Sequence, residues 1–137
     1  MVIPRFVERA LAGAPLEVHG DGTQTRSFCH VSDTVRAIVG LMDARDISGE
    51  IFNIGSSERV RILDLAQRVL ELTGSHSKLA FVPHDEVYGL GIEDVLHREP
   101  AIDKINGAIG WRPSLDLDRI LADVIEHTRR APAVELA

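Results

Sequence analysis

A single cysteine, Cys29, in 137 residues excludes an internal disulfide framework and fits a reducing compartment. Aromatic residues make up only 4% of the chain, so any core must rest on Leu, Ile, Val and Ala. No apolar run approaches the roughly 20 residues needed to cross a bilayer. The N-terminal Met1-Val2-Ile3-Pro4-Arg5 carries no signal-peptide apolar segment, and the expectation is a cytoplasmic protein without a membrane anchor. Basic residues are outnumbered 15 to 21, for a net charge of −6. That balance argues against a nucleic-acid binder, which needs a basic stripe to release counterions. It is compatible with a small anionic ligand held by two or three arginines.

Several constellations are missing too. The sequence contains no G-x-G-x-x-G turn that would bring a pyrophosphate to a helix N-terminus. Gly20/Gly22 and Gly89/Gly91 are isolated pairs, read as turn glycines. His19, His30, His76, His84, His97 and His127 fall on different segments without ligand spacing, so no metal site is expected. Ser27, Ser32, Ser56 and Ser57 lack a G-x-S-x-G elbow, and Cys29 reads as a small core residue rather than a nucleophile. No catalytic residue is assigned.

What is present is ordinary for a globular chain, with 45% hydrophobic and 26% charged residues. The length fits one domain able to bury roughly two-thirds of its unfolded surface. Ile3, Phe6, Val7, Ala10 and Leu11 have helical spacing, with Pro4 in the first turn and Gly13 after the end, predicting a helix over residues 4–12. Strand-like runs Pro15–His19 and Arg26–Val31 flank an Asp21-Gly22 pair, and a hairpin is the simplest reading. Ser32 offers an N-cap to a helix over 33–44, whose Val35, Ile38, Val39 and Met42 share a face. A short strand is expected at Glu50–Ile54, a helix from Ile62 to Leu72 closed by Gly74, and a strand at Lys78–Val82. Residues 84–100 show no period and read as an ordered loop; helices follow near 102–109 and 117–129, and residues 131–137 read as a frayed tail. The expected fold is a small mixed α/β domain over 1–130, with about four strands and four to five helices.

The run from Pro15 to Asp33, with Gly20-Asp21-Gly22-Thr23-Gln24-Thr25-Arg26 at its centre, closely resembles the substrate-domain signature of extended short-chain dehydrogenases acting on nucleotide sugars. It follows Ile3-Pro4-Arg5-Phe6 and precedes Phe52-Asn53-Ile54-Gly55, Leu65-Ala66, Thr73-Gly74-Ser75, a loop from Tyr88 to Asp94, then Arg98, Pro100, Lys104 and Gly110-Trp111-Arg112-Pro113. The order and spacing of these elements carry the resemblance over residues 2 to 127. They are similar to the C-terminal, substrate-binding half of the NAD-dependent epimerase/dehydratase family, with UDP-glucose 4-epimerase-like enzymes nearest and UDP-glucuronate decarboxylases and dTDP-glucose dehydratases alongside.

The resemblance implies a site. Arg26 and Arg98 match arginines that contact the substrate diphosphate, work that suits a permanently charged guanidinium fork. Leu16, Glu17 and His19 match a strand that meets the nucleotide base, with His19 where the family usually has an aromatic residue. Asp33 matches a helix-terminus residue with a structural role, and Asn53 and Trp111 match turn and core positions. Two departures stand out: Pro100-Ala101 replaces the usual Pro-Asp, and His97 and Glu99 flank Arg98, adding a negative charge that weakens its hold on a diphosphate. Glu93, Asp94 and Glu99 are rival partners for Arg98.

The family's catalysis rests on a Tyr-x-x-x-Lys pair and a Ser or Thr in an N-terminal Rossmann half that also binds NAD. Here the single tyrosine, Tyr88, has Ile92 four residues on. The expectation is therefore a nucleotide-sugar-binding portion, for a UDP- or dTDP-sugar, that lacks the Rossmann half, binds no NAD by itself and does not turn over alone. Three readings follow: part of a truncated or split enzyme, a stand-alone nucleotide-sugar-binding module, or a degenerate module that only oligomerises. The helices over 4–12 and 33–44 are expected to leave an apolar patch for a separate Rossmann-domain chain or for self-association.

Overall fold

The computed structural model describes residues 1–83, 86 and 95–130. Among them are five helices and four strands, the mixed α/β composition read from the sequence. In chain order these are α1 (Val2–Leu11), β1 (Leu16–His19), β2 (Thr25–Ser27), α2 (Val31–Asp43), β3 (Arg59–Arg61), α3 (Ile62–Thr73) and β4 (Leu79–Val82). Two further helices follow, α4 (Asp103–Ile109) and α5 (Leu117–Arg130). None of the described helices is long and apolar enough to cross a membrane.

The chain forms two compact units. One comprises Met1–Gln24, Arg61–Leu96 and Leu121–Ala137; the other comprises Thr25–Val60 and His97–Ile120.

In the first unit, α1 and α3 pack on each other and on β1. The apolar stripe of α1 (Ile3, Phe6, Val7, Ala10) and that of α3 (Ile62, Leu65, Ala66, Val69) are buried, as are Leu16 and Val18 of β1. Gly74 closes α3 at φ 66°, and the N–H groups of Gly74 and Ser75 return to the carbonyls of Glu71 and Leu70. The start of α3 is capped by the turn after β1. The carbonyl of Gln24 accepts from Ile62 N–H, and that of Gly22 accepts from Leu63 N–H, each at 3.0 Å. Gly22 has φ +76°, and a Cβ there would lie 2.8 Å from Val18 Cγ1, so only glycine fits.

The second unit has its own core of Ala37, Ile105 and Trp111, against which Cys29, Leu41, Phe52, Ile54, Ile102 and Ile109 pack. This places Cys29 in the apolar role expected of it, although beyond the end of β2.

The hairpin is corrected. β1 pairs in parallel with β4, Leu16 opposite Leu79 and His19 opposite Val82, while β2 pairs with β3. The Asp21-Gly22 turn does not fold the chain back on itself because its carbonyls are drawn to the open N–H groups of α3. The strand expected to run to Val31 ends at Ser27, because His30 caps α2: its Nδ1 accepts from Ser32 N–H at 3.1 Å. His30, not Ser32, is thus the N-cap. Residues 50–54 form no strand. The apolar face of α1 is buried against its own unit rather than left exposed, so only α2 keeps the open face expected of both. The Tyr88 to Asp94 loop, Gly89 and Gly91, and the tail over 131–137 lie outside the described residues.

Candidate functional site

The second unit brings the two expected phosphate-binding arginines to neighbouring segments. Thr25 and His97 form a parallel bridge, and Thr25 Oγ1 and His97 Nδ1 share a hydrogen bond at 3.0 Å. Arg26 and Arg98 are each the next residue along. Paired strands lie about 4.8 Å apart, and successive side chains alternate between faces, so the residues following a bridged pair share a face. Arg26 is half-buried, with Nη1 donating to the carbonyl of Thr25 at 2.9 Å, and Arg98 is exposed.

The segment carrying Arg98 is fixed on both sides of it. Gly55 sits so close to Pro100 that a Cβ would meet Pro100 Cγ at 2.5 Å. Asn53 Nδ2 donates to the carbonyl of Ala101 at 3.3 Å, and Arg59 Nε pairs with Glu99 Oε2 at 3.2 Å. Glu99, a rival partner for Arg98, is therefore engaged by Arg59, which opposes the negative charge expected to weaken the diphosphate contact. Glu93 and Asp94, the other rivals, lie outside the described residues.

Asp33 is a structural hub, in line with its expected role. Its carboxylate is buried and accepts from Ser114 N–H (3.0 Å), Ser114 Oγ (2.8 Å), Leu115 N–H (3.1 Å) and Arg36 Nη2 (2.6 Å). Burial pushes its pKa up, but the bonds from Arg36, Ser114 and Leu115 prevail and hold it at about 2. Trp111 Nε1 donates to the carbonyl of the same residue at 3.0 Å, and Arg36 lies over the indole ring. This network ties the start of α2 to the Gly110-Trp111-Arg112-Pro113 turn.

In the first unit, Leu16 is fully buried. Glu17 is held by Arg5 (2.8 Å) and Arg9 (2.7 Å), which occupy one carboxylate oxygen each. These two side chains are committed to the fold, so what residues 16–19 can offer a ligand is backbone and the His19 ring. Leu16 N–H donates to Lys78 and Gly20 N–H to Val82, so alternate residues face β4 and the backbone of Glu17 and His19 faces the other edge. The carbonyl of His19 accepts from the buried Gln24 side chain at 2.9 Å.

Sequence reasoning missed Thr25, Arg59 and Gln24 and read His97 only as a departure. The one available signal was Gln24, an uncharged polar residue in a glycine-rich turn. Among the described residues, no group of three His, Cys, Asp or Glu side chains is arranged to hold a metal ion.

Residues 1–55 match the NAD dependent epimerase/dehydratase family. The UDP-N-acetyl-alpha-D-glucosaminuronate decarboxylase of Bacillus cytotoxicus is 41% identical over 93% of this chain and 40% of its own length. Among solved structures, the UDP-glucose 4-epimerase of Thermotoga maritima with UDP-glucose superimposes with TM-score 0.84 and 28% identity, over 95% of this chain and 40% of that one. MoeE5 in complex with UDP-glucuronic acid and NAD gives TM-score 0.84 and 34% identity over 95% and 42%. The chain thus spans about two-fifths of the length of these relatives. By sequence and by fold, over the stretch it shares with them, this chain is similar to proteins of the NAD dependent epimerase/dehydratase family.

Proposed function

We propose that this chain is the C-terminal, nucleotide-sugar-binding portion of an NAD-dependent sugar epimerase, decarboxylase or dehydratase, and that Arg26 and Arg98 hold the substrate diphosphate. The observation that carries this is the Thr25–His97 bridge, which sets the two arginines one residue beyond a paired position. A diphosphate offers non-bridging oxygens to both, and a guanidinium fork can donate two parallel N–H bonds to such oxygens. Relatives described with UDP-glucose or UDP-glucuronic acid support a UDP-sugar as ligand. In the first unit, the ligand-facing group we assign to the base is the outer edge of β1 at Glu17, with the His19 ring beside it in sequence.

NAD, where the family's enzymes hold it, would supply hydride-transfer chemistry. The described residues do not fit it. The segment from Gly20 to Gln24 presents the carbonyls of Gly22 and Gln24 to α3 rather than N–H groups to a phosphate, and these already occupy the Ile62 and Leu63 N–H groups of that helix. No step of the reaction is therefore assigned to these side chains. They contribute binding that is equal for ground and transition states, which gives affinity without turnover.

The apolar face of α2 supports a partner for this portion. Val31, Val35, Ile38, Val39 and Met42 are exposed at helical spacing. We assign this face to the NAD-binding portion of the enzyme, on the same chain or a separate one, in the cytoplasm. A monodisperse monomer that binds no hydrophobic dye would contradict the assignment.

Calorimetric titration with UDP and with uridine tests the main reading. UDP is expected to bind and uridine to bind at least tenfold more weakly, because the two guanidiniums act only on the diphosphate. Equal affinity for both ligands would overturn it. Conversion of UDP-glucose by the purified chain alone would overturn the absence of turnover.

A further inference from the structure

We infer that His97 is a positioning residue for Arg98, acting through its bridge to Thr25. This rests on the diphosphate reading of Arg26 and Arg98 and goes beyond it by naming what holds the second arginine in place. Contacts to the rest of the second unit fall at His97 (Thr25), Glu99 (Arg59), Pro100 (Gly55) and Ala101 (Asn53). Arg98 lies within this anchored run with its side chain exposed.

The anchors are not equivalent. The Arg59–Glu99 pair is more than a third exposed on both sides, and such pairs are weak and screened. Asn53 reaches Ala101 at a long 3.3 Å. Pro100 against Gly55 is a packing contact on the far side of Arg98. His97 is joined to β2 at the residue before Arg26 by both a backbone bridge and an exposed side-chain hydrogen bond. Loss of that bond frees the end of the segment that sets the spacing of the two guanidiniums. Two phosphate-binding forks on separate segments cooperate only while that spacing is held.

The imidazole Nδ1 is one atom beyond Cγ, the position that the side-chain amide of asparagine also occupies. Asparagine at 97 can thus replace the bond, whereas glutamine, reaching one atom further, cannot.

The test combines UDP titration with amide hydrogen exchange of the peptide spanning 95–102. In His97→Ala and Thr25→Val, exchange in this peptide is expected to speed up and UDP affinity to fall about fivefold, the effect of one lost hydrogen bond. His97→Asn restores both and His97→Gln restores neither. In an Arg98→Ala background, His97→Ala lowers affinity no further, because its effect passes through Arg98. Unchanged exchange in His97→Ala, or a fivefold loss that persists without Arg98, overturns the inference. The two readings separate cleanly. If Arg26→Ala and Arg98→Ala weaken UDP but His97→Ala does not, the positioning role falls and the diphosphate reading stands. If wild-type protein does not bind UDP, both fall.

Discussion

Gly55 and Pro100 are in contact so close that no side chain can be added between them: a Cβ on Gly55 would sit 2.5 Å from Pro100 Cγ. Two segments 45 residues apart in sequence are thereby locked, and one of them carries Arg98. Gly55→Ala must push the Arg98 segment outward. We expect a loss of about 1–3 kcal/mol of stability, as for other overpacked sites, together with weaker UDP binding. Chemical denaturation and calorimetry on the same variant check both; a variant of wild-type stability and affinity would contradict the packing.

Glu99 sits next to Arg98 but pairs with Arg59. Glu99→Gln removes one negative charge and releases the Arg59 guanidinium beside the segment that carries Arg98. UDP affinity is expected to rise about threefold at low salt and to return toward wild type as ionic strength increases, because exposed charges are screened over about 10 Å at 0.1 M. An affinity gain independent of salt would argue against this electrostatic origin.

Asp33 gives the fold a defined acid sensitivity. Its pKa is held at about 2 in the folded protein, below its ordinary value of 3.8. A group with a depressed folded pKa stabilises the protein fully above its unfolded pKa and loses that contribution as the pH falls toward the folded value. The contribution amounts to about 2 kcal/mol, lost between roughly pH 5 and pH 2. Asp33→Asn should flatten the stability profile across that window, read as thermal midpoint against pH. It should also lower stability at neutral pH, since the amide NH2 that replaces one carboxylate oxygen cannot accept from Arg36 and the negative charge opposite that guanidinium is lost. An unchanged acid slope in the variant would assign the sensitivity elsewhere.

Cys29 tests the second unit's core. Burial pushes its thiol pKa up, the Asp33 carboxylate adds to this, and a hydrogen bond from Thr34 partly opposes it. Alkylation by iodoacetamide at pH 8 is expected to be at least tenfold slower in the folded protein than in denaturant. Equal rates would place Cys29 outside the apolar cluster.

The helices were readable because of their apolar stripes at the helical period, reinforced in α3 and α4 by a glycine stop, as in Ile62, Leu65, Ala66 and Val69 before Gly74. The strands were not. β1 and β4 pair across some 60 residues, and nothing local in Leu16–His19 or Leu79–Val82 specifies a parallel partner so distant. Asp21-Gly22 is a strong hairpin signal, yet tertiary demand overrode it: the N–H groups of Ile62 and Leu63 needed acceptors, and the turn supplied them. His30 was misread for a related reason, since an imidazole is an uncommon cap and Ser32 next to it is a common one. At the candidate site, the identities of Arg26 and Arg98 came from resemblance to a family motif. Their adjacency, and the supporting contacts of Thr25, His97, Arg59 and Gly55, depend on long-range pairing that no spacing rule exposes.

Two guanidiniums on bridged segments, in the proposed site, act together on one diphosphate. A double-mutant cycle of Arg26→Ala and Arg98→Ala, followed by UDP titration with uridine as control, tests it most directly. Each single variant is expected to lose at least tenfold in UDP affinity and the double variant less than the product of the two, with uridine binding unaffected throughout. UDP affinity unchanged in either single variant, or equal losses for UDP and uridine, would contradict it.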